Sequence, residues 1–184
     1  YSTNTKLDEI KPGIELFKRN NCDVIIAIGW GSAIDVAKAI KLFSGLNPNI
    51  NYLEQKPIYV NTPLIAIPTT AGTGSETTRY SVIYVDGEKY SLTHDCIFPN
   101  IAVIDPTFLR TLPEYHRRSS LLDALCQAIE SFWSKGSIEE TRLLSARGIH
   151  LFRYTYKHYL EGHPFVDDRI MKVSYLAGQA INIT

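Results

Sequence analysis

The twelve residues Ile65-Ala-Ile-Pro-Thr-Thr-Ala-Gly-Thr-Gly-Ser-Glu76 hold the densest chemistry in the chain. An apolar run ends at Pro68, and the hydroxyls of Thr69, Thr70, Thr73 and Ser75 then surround Gly72 and Gly74. Hydroxyls and backbone amides in a tight turn at a strand end are what a phosphate and a ribose need in a neutral site. The plainer alternative is a solvated turn with ordinary Thr-to-backbone bonds. Upstream, Asp23-Val-Ile-Ile-Ala-Ile-Gly29 runs into Gly29-Trp30-Gly31-Ser32 and a helix. Glycines there permit positive φ and close approach of a pyrophosphate, beside the positive end of the helix dipole. The turn is not a GxGxxG, because Ile34 occupies the third glycine position, and Ser32-Ala-Ile-Asp35 also fits a capping box. Two strand-to-glycine-turn units within about forty residues point to a dinucleotide.

A third candidate is the pair Asp123 and Gln127, which fall on one helix face at i and i+4. A carboxylate there can ligate a divalent cation, and the amide can add a weak carbonyl oxygen. Ser120-Leu-Leu-Asp123 equally fits a capping box that only starts the helix. Leu122, Leu125, Ile129 and Phe132 form the expected apolar stripe, which puts Asp123, Gln127 and Glu130 at its border. His94, His116, His150, His158 and His163 show no HxxxH or HExxH spacing and read as surface or satisfied core residues. Phe152, Tyr154, Tyr156 and Tyr159 read as helix packing, and no Ser-His-Asp or Cys-His arrangement emerges.

The elements that position these residues follow from periodicity. Helical spacing covers Leu7–Asn20, with Ile10, Ile14 and Phe17. Val24–Ile28 is a near-continuous Val/Ile run, expected as a parallel strand covered on both faces. Ser32–Ser44 reads as a helix ended by Gly45, and Leu64–Ile67 as the next strand. Ser81–Val85 and Lys89–Thr93 flank Asp86-Gly87, a favoured two-residue hairpin turn. Ile101–Ile104 is a further strand, closed by Asp105-Pro106. Beyond Leu112 only helices are expected, over Ser120–Ser134, Glu139–Leu160 and Asp167–Ile183. The expectation is an α/β dinucleotide-binding domain over 1–108 and an all-α domain over 109–184.

At 184 residues, 45% apolar and 21% charged, the chain has the make-up of a water-soluble globular protein. Nineteen basic residues balance nineteen acidic ones, so neither nucleic acid nor a membrane surface is an expected partner. Cys22, Cys96 and Cys126 form no CxxC pair and read as buried thiols of a reduced, cytoplasmic protein. The chain opens on a polar segment and a helix where a doubly wound domain begins with a strand. It ends at Ala180-Ile-Asn-Ile-Thr184 without a helix stop signal, so truncation at both ends is expected.

Four segments in order resemble the iron-containing alcohol dehydrogenase family: Ile28–Lys38, Pro68–Glu76, Ala102–Pro106 and Asp123–Glu130. The resemblance implies a dehydroquinate synthase-like fold, pairing an α/β dinucleotide domain with a helical one. It implies that Gly29, Gly31 and Ser32, around Trp30, contact the pyrophosphate of NAD(P). Thr69, Thr70, Thr73 and Ser75 would belong to the adenosine and phosphate path, with Lys89 near the ribose. Asp123 matches the first metal ligand, Fe2+ or Zn2+. Trp30 replaces the family's second glycine, and Gln127 stands where the family has a ligand histidine. The family's further ligand histidines follow a helix like Tyr175–Ala180, and this chain stops before them.

The wording of Asp123–Ser134, with Glu139-Glu140 and the closing Ala-Ile-Asn-Ile-Thr, is similar to the phosphonoacetaldehyde reductase branch. The implied reaction is NAD(P)H-dependent, metal-assisted reduction of phosphonoacetaldehyde to 2-hydroxyethylphosphonate. Alternatives are another alcohol or polyol dehydrogenase, a dehydroquinate synthase-like lyase, or a metal-free nucleotide-binding protein. The expected partners are a small aldehyde or alcohol, with a homodimer left open.

Overall fold

The computed structural model describes residues 5–184. In chain order the elements are α1 (Leu7–Arg19), β1 (Ile25–Gly29), α2 (Gly31–Ser44), β2 (Leu64–Pro68), β3 (Tyr80–Val85), β4 (Glu88–Thr93) and β5 (Ile101–Ala102). Three helices follow: α3 (Glu114–Trp133), α4 (Glu139–Leu160) and α5 (Asp167–Ile181). β1, β2 and β5 form a parallel sheet with β2 central, registered Ile25 to Leu64 and Ile65 to Ile101. Helix α2 is the crossover between β1 and β2, so the turns after both strands emerge at the same sheet edge. The amide of Thr69 donates to the Gly29 carbonyl at 2.9 Å and joins those two turns. β3 and β4 make a separate antiparallel hairpin, whose turn residues Asp86 and Gly87 both have positive φ.

The Val/Ile run of β1 is covered on one face only. Ala27 packs with Leu64, Ala66, Ile34 and Ala37 under α2. Ile26 and Ile28 on the other face are 56% and 58% exposed, alongside Ile101 and Val103. The expected two-sided burial is therefore corrected: α2 shields one face, and a continuous apolar run carries no information on which face is shielded. β5 is also shorter than expected, because the Asp105 carboxylate accepts from the Thr107 amide and starts a 3-10 turn.

Helix α3 starts six residues before the expected Ser120. Ser120 is no cap; its hydroxyl donates to the His116 carbonyl at 2.6 Å, the back-bonding of a mid-helix serine. Nor is the apolar stripe where it was expected. Leu121, Ala124, Ala128 and Ser131 are buried, whereas Leu122 and Phe132 are exposed. The close crossing of α3, α4 and α5 selects the small side chains. Of the three free cysteines only Cys96 is buried; Cys22 and Cys126 are exposed, contrary to expectation.

The segment after β2 reaches into the helical half. Ala71 belongs to the apolar cluster of Leu109, Leu112, Leu121, Tyr159, Ile170 and Met171. Gly74 has φ +58, and a Cβ there would sit 2.7 Å from the Gly178 Cα on α5. The Gly74 amide donates to the Ser174 hydroxyl at 3.1 Å. These glycines let loop and helix backbones touch.

Candidate functional site

A cavity of about 630 Å³ opens where the edge of the sheet meets α3. Trp30, Gly31, Ser32 and Ala33 form one wall, Thr70, Gly72 and Thr73 the floor, and His116, Ser119, Ser120 and Asp123 the other wall. The first wall is the N-terminus of α2, whose first turn carries no acidic residue, so the positive end of the dipole faces the cavity undiminished. Thr73 lies against Gly31, where a Cβ would come within 2.6 Å of the threonine methyl. That contact requires glycine and presses the floor onto the helix terminus. An anion seated here meets amides and hydroxyls together, the chemistry of a phosphate site.

Sequence-predicted residues divide into three groups. Trp30, Gly31, Ser32, Thr70, Thr73 and Asp123 line the cavity together. Gly29 and Thr69 stand behind it, joined by their backbone bond. Ser75, Lys89 and Gln127 do not line it. Ser75 faces inward, its hydroxyl donating to Asp35 at 3.0 Å and accepting from Lys38 at 3.0 Å. Lys89 is exposed on β4, opposite Tyr84. Gln127 is half-buried, and its amide nitrogen lies 3.5 Å from the Gly72 carbonyl.

The capping-box reading of Ser32 and Asp35 is also corrected. Trp30 is the residue before α2 and makes no side-chain cap. Asp35 instead accepts from Ser75 and from the Val82 amide at 3.2 Å. Beneath it Lys38, fully buried, places its ammonium against the Ser75 carbonyl, the Thr78 hydroxyl and the Tyr80 carbonyl at 2.7, 3.0 and 2.8 Å. Burial pulls the Lys38 ammonium down to about 8, opposed by the nearby Asp35. Burial also pushes the Asp35 carboxyl up, and that of Glu76 up to about 7. These residues hold the loop in shape from below.

His116, Ser119 and Ser120 of α3 line the cavity without having been expected there. The His116 ring packs on the Trp30 indole at 4.2 Å between centroids, closing the two walls together. His116, Ser120, Asp123 and Gln127 are spaced four, three and four apart, one face of a helix. That signal was readable, but only with the helix start placed at Glu114. His94 does what was expected of a satisfied histidine, accepting from the Cys96 amide at 3.1 Å.

For a dinucleotide, the helix terminus, hydroxyl floor and aromatic wall fit. For a divalent metal, the cavity offers the Asp123 carboxylate, with Gln127 one turn on. That is a partial donor set, since Zn2+ or Fe2+ needs four ligands or more.

A parallel sheet with glycine-hydroxyl turns at one edge, backed by a helical bundle, is the architecture of a dehydroquinate synthase-like α/β fold. The family profile described as iron-containing alcohol dehydrogenase matches residues 1–106. An NAD-dependent methanol dehydrogenase of Bacillus methanolicus is 33% identical over 183 residues, 95% of this chain and 47% of that protein. Among solved structures, the sulfoacetaldehyde reductase from Bifidobacterium kashiwanohense in complex with NAD+ superposes with a TM-score of 0.92 at 31% identity, covering 100% of this chain and 50% of that one. The iron-containing alcohol dehydrogenase from Thermococcus thioreducens gives 0.89 at 29% identity, covering 99% and 51%. The chain belongs to the iron-containing alcohol dehydrogenase family. It spans about half the length of the relatives it matches.

Proposed function

We propose that this chain carries the dinucleotide site and part of the metal site of an NAD(P)-dependent oxidoreductase that interconverts an aldehyde and its alcohol. The observation that carries the reading is the cavity itself, in which the α2 terminus, Thr70 and Thr73 face Asp123 across the space a cofactor would fill. Amides of α2 and the two threonine hydroxyls hold the pyrophosphate. Trp30 and His116 form an apolar wall that keeps water from the bound cofactor. Gly29 and Thr69 fix the two turns relative to each other, and Lys89 is assigned near the ribose by the resemblance alone. Asp123 supplies one carboxylate to a divalent metal, Fe2+ or Zn2+, with Gln127 as its neighbour. A bound metal would polarise the carbonyl oxygen and stabilise the alkoxide as hydride arrives.

The substrate we propose is phosphonoacetaldehyde, reduced to 2-hydroxyethylphosphonate. The Asp123–Ser134 wording supports this, as does the likeness to a reductase of sulfoacetaldehyde, another two-carbon aldehyde bearing an anionic tetrahedral group. A cytoplasmic setting belongs to the same reading and is supported by three unpaired cysteines. No helix among the described residues is long and apolar enough to cross a membrane.

The test is NAD(P)H oxidation by the complete protein with phosphonoacetaldehyde, sulfoacetaldehyde and acetaldehyde, before and after chelation. Turnover favouring phosphonoacetaldehyde and lost on chelation is expected. Equal rates for all three would overturn the substrate, and turnover indifferent to chelation would overturn the metal role.

A further inference from the structure

Beyond the cavity, three side chains meet where α4 ends. The chain leaves α4 at Glu161, turns through Gly162 at φ +83, and returns so that the His163 amide donates to the His158 carbonyl at 2.9 Å. This turn brings His158, Glu161 and His163 together on the surface. The Glu161 Oε2 lies 3.6 Å from His158 Nδ1 and 3.4 Å from His163 Nε2. One ligand atom from each residue lies within 4.8 Å of the other two. A tetrahedral Zn2+ with bonds of about 2.0–2.1 Å holds its ligand atoms roughly 3.3–3.4 Å apart. The two carboxylate-to-imidazole edges already approach that spacing, and the third closes by rotation of exposed side chains.

We propose that His158, Glu161 and His163 form a surface site for a divalent transition metal of the Zn2+ type. Two imidazoles and one carboxylate are a donor set that such ions take, with water completing the coordination. Placement at the C-terminal end of a 22-residue helix adds the negative end of its dipole, which favours a cation. The Phe165 ring lies beside both imidazoles, 5.5 Å from each between centroids. None of these residues lines the cavity. The absence of a regular histidine spacing hid the site: the ligands are gathered by a left-handed turn after the helix, not by a helix face.

The bound ion would staple the end of α4 to the turn that leads into α5. The experiment is Zn2+ titration by calorimetry on tag-free protein, with Co2+ absorption as a spectroscopic reporter. Wild type, Asp123→Ala and the double variant His158→Ala/His163→Ala are compared. The double variant is expected to bind one equivalent fewer, to lose the visible Co2+ bands of this site, and to show a smaller rise in Tm with Zn2+ than wild type. Asp123→Ala is expected to keep that equivalent, which separates this site from the cavity. Circular dichroism checks that the surface changes leave the fold intact. An unchanged number of equivalents and unchanged Co2+ bands in a folded double variant would overturn the proposal.

Discussion

The ammonium of Lys38 on α2 lies 2.7 Å from the Ser75 carbonyl oxygen and 3.0 Å from the Ser75 hydroxyl. One buried cation thus ties the helix whose terminus faces the cavity to the loop that forms the cavity floor. Ser75 closes the link by donating to Asp35, one turn before Lys38 on the same helix. The hydroxyl nearest the end of the glycine-rich segment is spent on holding the segment, not on a ligand.

Lys38→Met should therefore act on stability and on cofactor binding together. It removes the cation, leaves the Ser75 and Tyr80 carbonyls short of a donor, and takes away the nearby positive charge that favours the ionised Asp35. Loss of one member of such a buried set costs about 3–5 kcal/mol. Urea unfolding measures the first effect, and NADH titration the second, where weakening of about tenfold or more is expected. Asp35→Asn keeps an acceptor for Ser75 and should cost less.

Glu76 gives a pH dependence with a definite sign. Burial raises its carboxyl from 4.5 to about 7, so the native state holds this proton more tightly than the unfolded chain does. Its contribution is fully present below pH 4.5 and is lost as pH rises through about 7. Glu76→Gln stays neutral throughout. Relative to wild type, the variant should gain roughly 2–3 kcal/mol between pH 4.5 and pH 8, read from urea midpoints across that range. A stability difference that does not change with pH would contradict the assignment.

Gly178→Ala should reverse a familiar rule. In an exposed helix interior this change stabilises by up to about 1 kcal/mol. Here the new methyl group would meet the Gly74 carbonyl oxygen at 2.5 Å and the Gly74 Cα at 2.8 Å. Overpacking against backbone should destabilise by about 1–3 kcal/mol, measured by thermal or urea unfolding. Because Gly74 directly follows Thr73 of the cavity floor, NADH affinity should fall as well.

How far the residues alone revealed this molecule varied with the kind of signal. The two strand-to-glycine turns, the hairpin at Asp86-Gly87 and the helices from Glu139 and Asp167 rest on local chemistry and were readable. The start of α3 was not: Ser120 and Asp123 imitate a cap, and only the back-bond to His116 distinguishes a mid-helix serine. That one displacement hid His116 and Ser119 from the site, while the apolar stripe missed because the helix crossing buries small side chains rather than the largest ones. The inward turn of Ser75 was equally hidden, since its partners Asp35 and Lys38 lie forty and thirty-seven residues away. The open face of β1 was hidden because a Val/Ile run reads the same whether one face is shielded or both.

The central claim, that the cavity between α2 and α3 holds the dinucleotide, is tested most directly by tryptophan fluorescence. Trp30 lines the cavity, whereas Trp133 ends α3 and is 75% exposed. Titration with NADH should quench the emission saturably in wild type and in Trp133→Phe. Trp30→Phe should lose most of that quench, and Gly31→Val, which drives a side chain into Thr73, should weaken binding by about tenfold or more. Quenching that survives Trp30→Phe, together with unchanged affinity in a folded Gly31→Val, would place the cofactor elsewhere and contradict the account.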